Sequence, residues 1–349
     1  MLRPDGERPL TIVSVSYPFA PVTADPVGGA EQVLARIDQA LVAAGHRSIV
    51  IAPEGSAPAG EWRAIGAASD PIDDAARDRT HAEVRARLAD AVAADRPDAI
   101  HLHGTDFSAY LPDPGPPVIV TLHLPLAWYD RAALRPARPR TFLHPVSPSQ
   151  AATAPPGARL DAPIENGVPI PEFTMRKRRF AVALGRVCPE KGFDDAIEAA
   201  KRAHVPLFLA GRVFPYPEHR RFFEERVLPR LDRARRWIGA VTGARKSRLL
   251  ARARCLLVPS KVAETSSLVA MEAIAAGTPV IAYRAGALPD VVEHGRTGFL
   301  VDGPAEMAEA IGAVDSIDPA ECRARAQQRF PVERMTGAYL GRYRELAGG

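Results

Sequence analysis

The 349-residue chain is poor in cysteine, in long apolar runs and in unbalanced charge. Its three cysteines, Cys188, Cys255 and Cys322, have no paired spacing. That argues against a disulfide scaffold or a zinc site and fits a reducing cytoplasm. No segment approaches the roughly 20 apolar residues that span a bilayer, so membrane contact is expected to be peripheral at most. The opening MLRPDGERPLTIVSVSYP runs into a strand without the apolar core and cleavage site of a leader. The net charge of +4, from 45 basic and 41 acidic residues, is too small an excess to argue for nucleic acid. It would not repel an anionic ligand. Repeats of solenoid period and low-complexity tracts are absent. So is a G-x-G-x-x-G signature, and GAVTGARKS fails as a phosphate loop because Arg245, not glycine, precedes Lys246.

With 46% hydrophobic and 25% charged residues, the composition is that of an ordinary globular protein, and the length suits two domains. The 34 prolines gather in loops such as LPDPGPPV and stiffen connections. Short β-branched runs alternate with helical stretches, the pattern of parallel sheets flanked by helices. In the first half, strands are expected at LTIVSVSYP, RSIVIAP, DAIHLHG, PVIVTLH and TFLHPVS. A helix at GGAEQVLARIDQALVAAGH stops at Gly45. After APIENGVPIPEF the pattern restarts at RFAVALGRV, PLFLAGRV, RRWIGAV, RCLLVPS, PVIAYRA and TGFLV. The spacing predicts two α/β domains joined near residues 171–178, and a terminal amphipathic helix in FPVERMTGAYLGRYRELAGG. MRKRR, Met175 to Arg179, reads as a solvated basic turn, and PEHRRFFEERVLPRLDRARRW as an Arg-rich surface helix.

Ligands of parallel α/β sheets bind where strands end and helices begin. Gly28 and Gly29 open a helix there, so bare amides can approach an anion. Arg186 and Lys191 bracket a turn before another helix and could clamp a diphosphate, although two surface cations would look the same. Thr265, Ser266 and Ser267 can cap a helix ending at Gly277. Glu272 is the only charge between Ser266 and Tyr283, and a buried carboxylate needs partners. Eight residues of helix at roughly 100° each leave two side chains about 80° apart. Glu264 therefore belongs in the loop and Glu272 a turn or two inside. Two readings stand open: Glu272 grips vicinal hydroxyls of a sugar or ribose, or it is buried against a cation such as Arg284. His101 and His103 share a strand face without completing a metal site. His123 ends a strand, as a structural or a substrate-binding residue.

Taken in order, GGAEQVL, DAIHLHG, VTLH, PVSPSQ, IENGVPIPEF, GRVCPEKG, LAGR, the Glu-x7-Glu stretch with AAGTPVIA, and GALPDVVEHGRTGFLV resemble the retaining family 4 glycosyltransferases. The resemblance implies the GT-B fold: an α/β protein of two Rossmann-like domains facing a cleft. The acceptor side would be residues 1–172 and the donor side 173–330, with the tail helix 331–349 crossing back to the first domain. It places Arg186 and Lys191 on the diphosphate, Glu272 on the ribose and Glu264 against the donor sugar's hydroxyls. Gly28, Gly29, Ser267, Leu268 and Val269 would line the donor site, and Gly239 and Val241 the base. His123 would lie near the transferred sugar. Thr265-Ser266-Ser267 departs from the family's frequent Gly-Phe-Gly, and Ala276 replaces a frequent cysteine.

These assignments imply transfer from a UDP-, GDP- or ADP-linked sugar to a hydroxyl of a carbohydrate, lipid-linked or small-molecule acceptor. No metal or other cofactor is needed, because cations and amides stabilise the departing diphosphate. Domain closure would exclude water. Acceptor contacts are expected from His103, Asp106, Trp128 and Tyr129 in first-domain loops. The competing expectations are a nucleotide-sugar binder without activity and a sugar-nucleotide epimerase of the same fold.

Overall fold

The computed structural model describes residues 8–23, 26, 28–67 and 72–348; the leader reading at the first seven residues lies outside them. The chain divides into two compact units, residues up to Glu165 together with those from Glu333 onward, and Asn166–Val332. The expected boundary at 172/173 falls several residues later than this division. Val168 explains the difference: its amide donates to Phe330 (2.9 Å), and its side chain is buried in the second unit's core.

The first unit contains β1 (Thr11–Val15), α1 (Gly29–Ala43), β2 (Arg47–Pro53), β3 (Glu61–Ile65), α2 (Asp74–Asp95), β4 (Ala99–Leu102), β5 (Val118–Leu122), β6 (Thr141–Pro145) and α3 (Pro148–Ala152). Its strands form one parallel sheet in the order β3-β2-β1-β4-β5-β6. The central strands are rich in Val, Ile and Leu because both faces are covered, with Ser14, His101 and Thr121 as buried polar exceptions. The edge strand β3 was not anticipated; EWRAI is largely exposed and carries no periodic signal. Nor was α2, whose buried face is only Ala76, Val84, Leu88 and Ala91 in a polar 22-residue helix. Asp73 starts it by accepting from the Ala76 amide at 2.7 Å.

The second unit contains β7 (Ala181–Leu184), α4 (Phe193–Arg202), β8 (Leu207–Ala210), α5 (Pro217–Phe222), β9 (Arg235–Trp237), α6 (Gly243–Arg252), β10 (Cys255–Val258), α7 (Leu268–Ala275), β11 (Val280–Tyr283), α8 (Leu288–Val291), β12 (Gly298–Val301), α9 (Pro304–Ala313) and α10 (Pro319–Arg329). Its parallel sheet has the order β12-β11-β10-β7-β8-β9. Core residues cover both of its faces.

The last helix, α11 (Val332–Gly348), packs on the first unit. Tyr339 and Tyr343 are fully buried there. The Tyr339 hydroxyl is 2.8 Å from Thr121 Oγ1, and the Tyr343 hydroxyl 2.7 Å from His101 Nδ1. The C-terminal helix therefore crosses back, as the resemblance implies.

Two readings need correction. The Arg-rich stretch from Pro217 is helical only as far as Arg230: α5 runs on without a break into a wider-wound turn over Phe223–Val227 and a tighter one over Leu228–Arg230, and the rest leads into β9. Pro229 lacks the amide needed to continue. MRKRR is not wholly solvated either. Lys177 is half-buried, and its ammonium donates to Thr278 Oγ1, to Ala251 O (2.9 Å) and to Ala276 O (3.4 Å). It thus caps the carboxyl ends of α6 and α7. Burial pushes it down to about 8.

Candidate active site

Each sheet reverses its winding once, between β1 and β4 in the first unit and between β7 and β10 in the second. Crevices beyond the carboxyl ends of such strand pairs are where open α/β sheets bind ligands. The second unit places the richest chemistry there.

Beyond β7 the chain passes through exposed Arg186 into a tight turn at Pro189–Lys191, closed by Gly192 at φ 60°. A side chain at Gly192 would strike the Pro259 carbonyl, so only glycine lets these loops touch. The Lys191 ammonium lies 2.5 Å from Glu264 Oε1 in the loop after β10. Burial alone would raise the Glu264 carboxyl, but the charge and hydrogen bond of Lys191 outweigh it and hold it below the usual range. Glu264 is fixed by its backbone as well: its carbonyl accepts from the Ala287 amide at 2.8 Å. Lys261 fastens the same loop by pairing with Asp194 and Asp195 at 3.1 and 3.2 Å.

Three residues past Glu264 the chain enters α7 through Ser267, held at φ 55° in the left-handed region. Asn166 Nδ2 donates to Ser266 Oγ at 2.7 Å. Ser267 Oγ is buried with no hydrogen-bond partner among the described residues. The amides of Leu268 and Val269 head the helix, where no intrahelical carbonyl serves them. An orphan hydroxyl, two leading amides and the positive end of a helix make an anion site.

Glu272 stands in the second turn of α7, as the spacing required. Of the two readings left open, a cation does pair with Glu272, but it is not Arg284. The Arg284 guanidinium turns toward β12, donating to Leu300 O (3.1 Å) and pairing with Asp302 (3.4 Å). Lys246 of α6 takes its place, 2.6 Å from Glu272 Oε1. Lys246 is itself buried, while the Glu272 side chain keeps 16% exposure. Lys246 escaped the sequence reading, which treated its stretch only as a failed phosphate loop. The signal was there: Lys246 shares the apolar stripe of α6 with Leu249 and Leu250. Lys261 and Asn166 were also missed, for want of any local pattern. Gly239, at φ 73°, and buried Val241 follow β9, with the Gly239 carbonyl accepting from Gly211 at 2.9 Å.

In the first unit Gly28 caps α1 without a side chain, and the Glu31 carboxylate lies against it; Gly29 is exposed. His103 Nδ1 is 3.0 Å from His123 Nε2, and the rings of His101 and His103 lie tilted by 40° with centroids 3.9 Å apart. Burial pushes His123 down to about 3 and lowers His101 and His103 well below the ordinary range. The hydrogen bonds of His101 go to Tyr343 and Thr121 Oγ1 (2.7 Å each). That network gives the strand-face pair a structural setting. Asp106 is 2.5 Å from His81 Nε2 and accepts from the Tyr110 hydroxyl at 3.0 Å. Trp128 is 52% exposed. Tyr129 is the opposite, which corrects the expectation that it contacts an acceptor. It is buried against Phe107, and its hydroxyl accepts from the Leu124 amide at 3.2 Å.

Two family descriptions match the chain: "Glycosyltransferase Family 4" over residues 27–152 and "Glycosyl transferases group 1" over 178–314. Together with the sheets described above, they define a glycosyltransferase of the GT-B fold. A glycogen synthase of Mycobacterium tuberculosis (strain CDC 1551 / Oshkosh) is 28% identical over 95% of this chain and 91% of its own. A D-inositol 3-phosphate glycosyltransferase of Streptomyces scabiei (strain 87.22) is 49% identical over 21% of this chain and 17% of its own. Among solved structures, Anabaena Alr3699/HepE in complex with UDP-glucose superposes with a TM-score of 0.75 at 20% identity, covering 96% of this chain and 100% of that one. The chain is thus a hexosyltransferase-type enzyme.

Proposed function

We propose that the chain is a retaining transferase that moves a sugar from a nucleoside diphosphate to an acceptor hydroxyl, with the donor held by the second unit. The observation that carries this reading is the Lys191–Glu264 pair at the β7/β10 switch point, three residues before the helix end with the orphan Ser267 hydroxyl. Arg186 and Lys191 neutralise the diphosphate as charge grows on it, and the leading amides of α7 add their dipole, so no metal is needed for departure. Glu264 accepts from hydroxyls of the transferred sugar. Glu272, steadied by Lys246 on one oxygen, accepts from the ribose. Gly239 and Val241 border the base. The HepE complex supports uridine as the base; guanine and adenine are the alternatives. His123, Gly29 and exposed Trp128 belong to the acceptor unit, and the acceptor is a carbohydrate or other hydroxyl-bearing molecule. With the leaving phosphate helping to deprotonate the acceptor, attack from the departing side retains the anomeric configuration, and Glu264 forms no covalent bond.

The test begins with thermal unfolding in UDP, GDP and ADP, since a ligand at 100 times its dissociation constant adds about 2.7 kcal/mol. It continues with nucleotide release from UDP-glucose, GDP-mannose and ADP-glucose over an acceptor panel, and anomeric analysis of the product. One donor should release nucleotide only with acceptor present and give the donor's own anomeric configuration. Binding without release would mean a silent binder, and sugar isomerisation without acceptor an epimerase. An inverted product would exclude the retaining course.

A further inference from the structure

Behind the turn that carries Arg186 and Lys191, three side chains converge from two elements: Cys188 and Glu190 of the turn, and His219 of α5. One donor atom from each, the thiol sulfur, a carboxylate oxygen and a ring nitrogen, lies within 4.8 Å of the other two. Cys188 is fully buried, His219 is 5% exposed and Glu190 is half-buried. The Cys188 thiol donates to the Arg186 carbonyl at 3.7 Å, with the Glu190 carboxylate beside it. His219 packs edge-on to Tyr216, with centroids 5.1 Å apart, and its Nδ1 is buried with no hydrogen-bond partner among the described residues. A buried orphan nitrogen on a histidine gathered with a thiol and a carboxylate asks for an explanation.

The geometry points to a binding site for one thiophilic divalent cation, zinc above others, held by Cys188 Sγ, a Glu190 oxygen and a His219 ring nitrogen. A sulfur–nitrogen–oxygen set suits zinc, whereas magnesium and calcium favour oxygen alone. Zinc bonds of about 2.0–2.3 Å place tetrahedral donors roughly 3.5 Å apart, so side-chain rotations of about 1 Å close the set. On binding, the thiol gives its proton to solvent and the thiolate forms the sulfur–metal bond; nothing is oxidised. Thiolate and carboxylate together balance the ion's double charge, so the occupied buried site carries no net charge. Water completes the fourth position. The ion ties short α5 to the turn between β7 and α4. It takes no part in the proposed transfer, so this site stands or falls separately from that reading.

The full chain, freed of any purification tag and of metal by chelation, is titrated with Co²⁺ as a spectroscopic probe. Zn²⁺ affinity is then read by competition with a chromophoric chelator, and thermal unfolding is followed with and without Zn²⁺. One equivalent of cobalt should give a thiolate-to-metal charge-transfer band. That band should be lost in Cys188→Ser and His219→Ala and kept in Cys322→Ala, whose thiol is buried elsewhere. Glu190→Gln should weaken zinc at least about tenfold. Zinc, and not magnesium, should raise the unfolding temperature of wild type and leave Cys188→Ser unmoved. If Cys188→Ser misfolds, His219→Gln, which keeps a polar side chain, serves for both readouts. No band in wild type, a band surviving both substitutions, or an equal shift from magnesium overturns the site.

Discussion

At the scale of single residues, the two acidic side chains of the motif behave differently because their cations differ. Glu264 meets Lys191 across two loops, so Lys191→Ala removes the cation proposed for the diphosphate and strands the Glu264 carboxylate. Losing one preorganised donor to a developing anion costs about 10²–10³ in rate. Lys191→Ala should lower kcat by that order while circular dichroism stays native, and near-normal turnover would take the lysine out of the mechanism. Glu272 and Lys246 form a pair between α6 and α7, and removing one partner leaves the other charge uncompensated. Lys246→Met should destabilise the fold by about 1–3 kcal/mol and raise the donor KM more than it lowers kcat. Adding Glu272→Gln should restore stability but not donor affinity. A double-mutant cycle by urea denaturation and steady-state kinetics separates the two effects.

At the scale of elements, the helices of the second unit depend on how they end. Lys177, the one lysine of MRKRR, caps two of them at once. Lys177→Met should cost about 1–3 kcal/mol by leaving helix-end carbonyls unserved. The pH dependence has a definite sign. Lys177 titrates near 8 in the fold and near 10.5 when unfolded, so between those values the unfolded chain binds the extra proton. Its contribution to stability therefore rises with pH from about 8 to 10.5, by about 1.4 kcal/mol per unit for one group. Denaturation midpoints across that range should climb in wild type and stay flatter in Lys177→Met; parallel curves would remove the lysine as the cause. Gly277 ends α7 at φ 70° beneath the Pro319 carbonyl. Gly277→Ala should be destabilising by about 1 kcal/mol or more in thermal unfolding.

At the scale of the whole chain, the first unit is built from both ends of the sequence, and α11 closes it over a buried polar network. His101, His103 and His123 are kept neutral there by burial, far below the 6.5 of an exposed imidazole. The network's stability is full above about 6.5 and lost as pH falls, because the unfolded chain takes up protons that the fold refuses. Amide exchange at falling pH, corrected for intrinsic rates, should show α11 and β4 opening before the sheet of the second unit. Simultaneous opening would argue against the histidines as the trigger. Cutting the chain after Phe330 should destabilise the first unit, since two fully buried tyrosines leave its core.

Two α/β units with parallel sheets, the sequence order of their strands apart from β3, and the loop position of Glu264 relative to Glu272 were legible in the sequence. Each follows from local rules: apolar runs for covered strands, a glycine that ends a helix, 3.6 residues per turn. What stayed hidden depended on distant partners. The edge strand β3 and the polar helix α2 carry weak periodicity because little of them is buried, so only their neighbours define them. Arg284 was the cation the sequence offered Glu272, and the direction in which Arg284 leaves β11 hands that place to Lys246. Tyr129 and Trp128 are adjacent aromatics, yet one fills the core and the other meets solvent. Composition and spacing are properties of the chain read along its length. A salt bridge, a cap shared by two helices or a buried hydroxyl is a property of segments dozens of residues apart, and only folding brings those together.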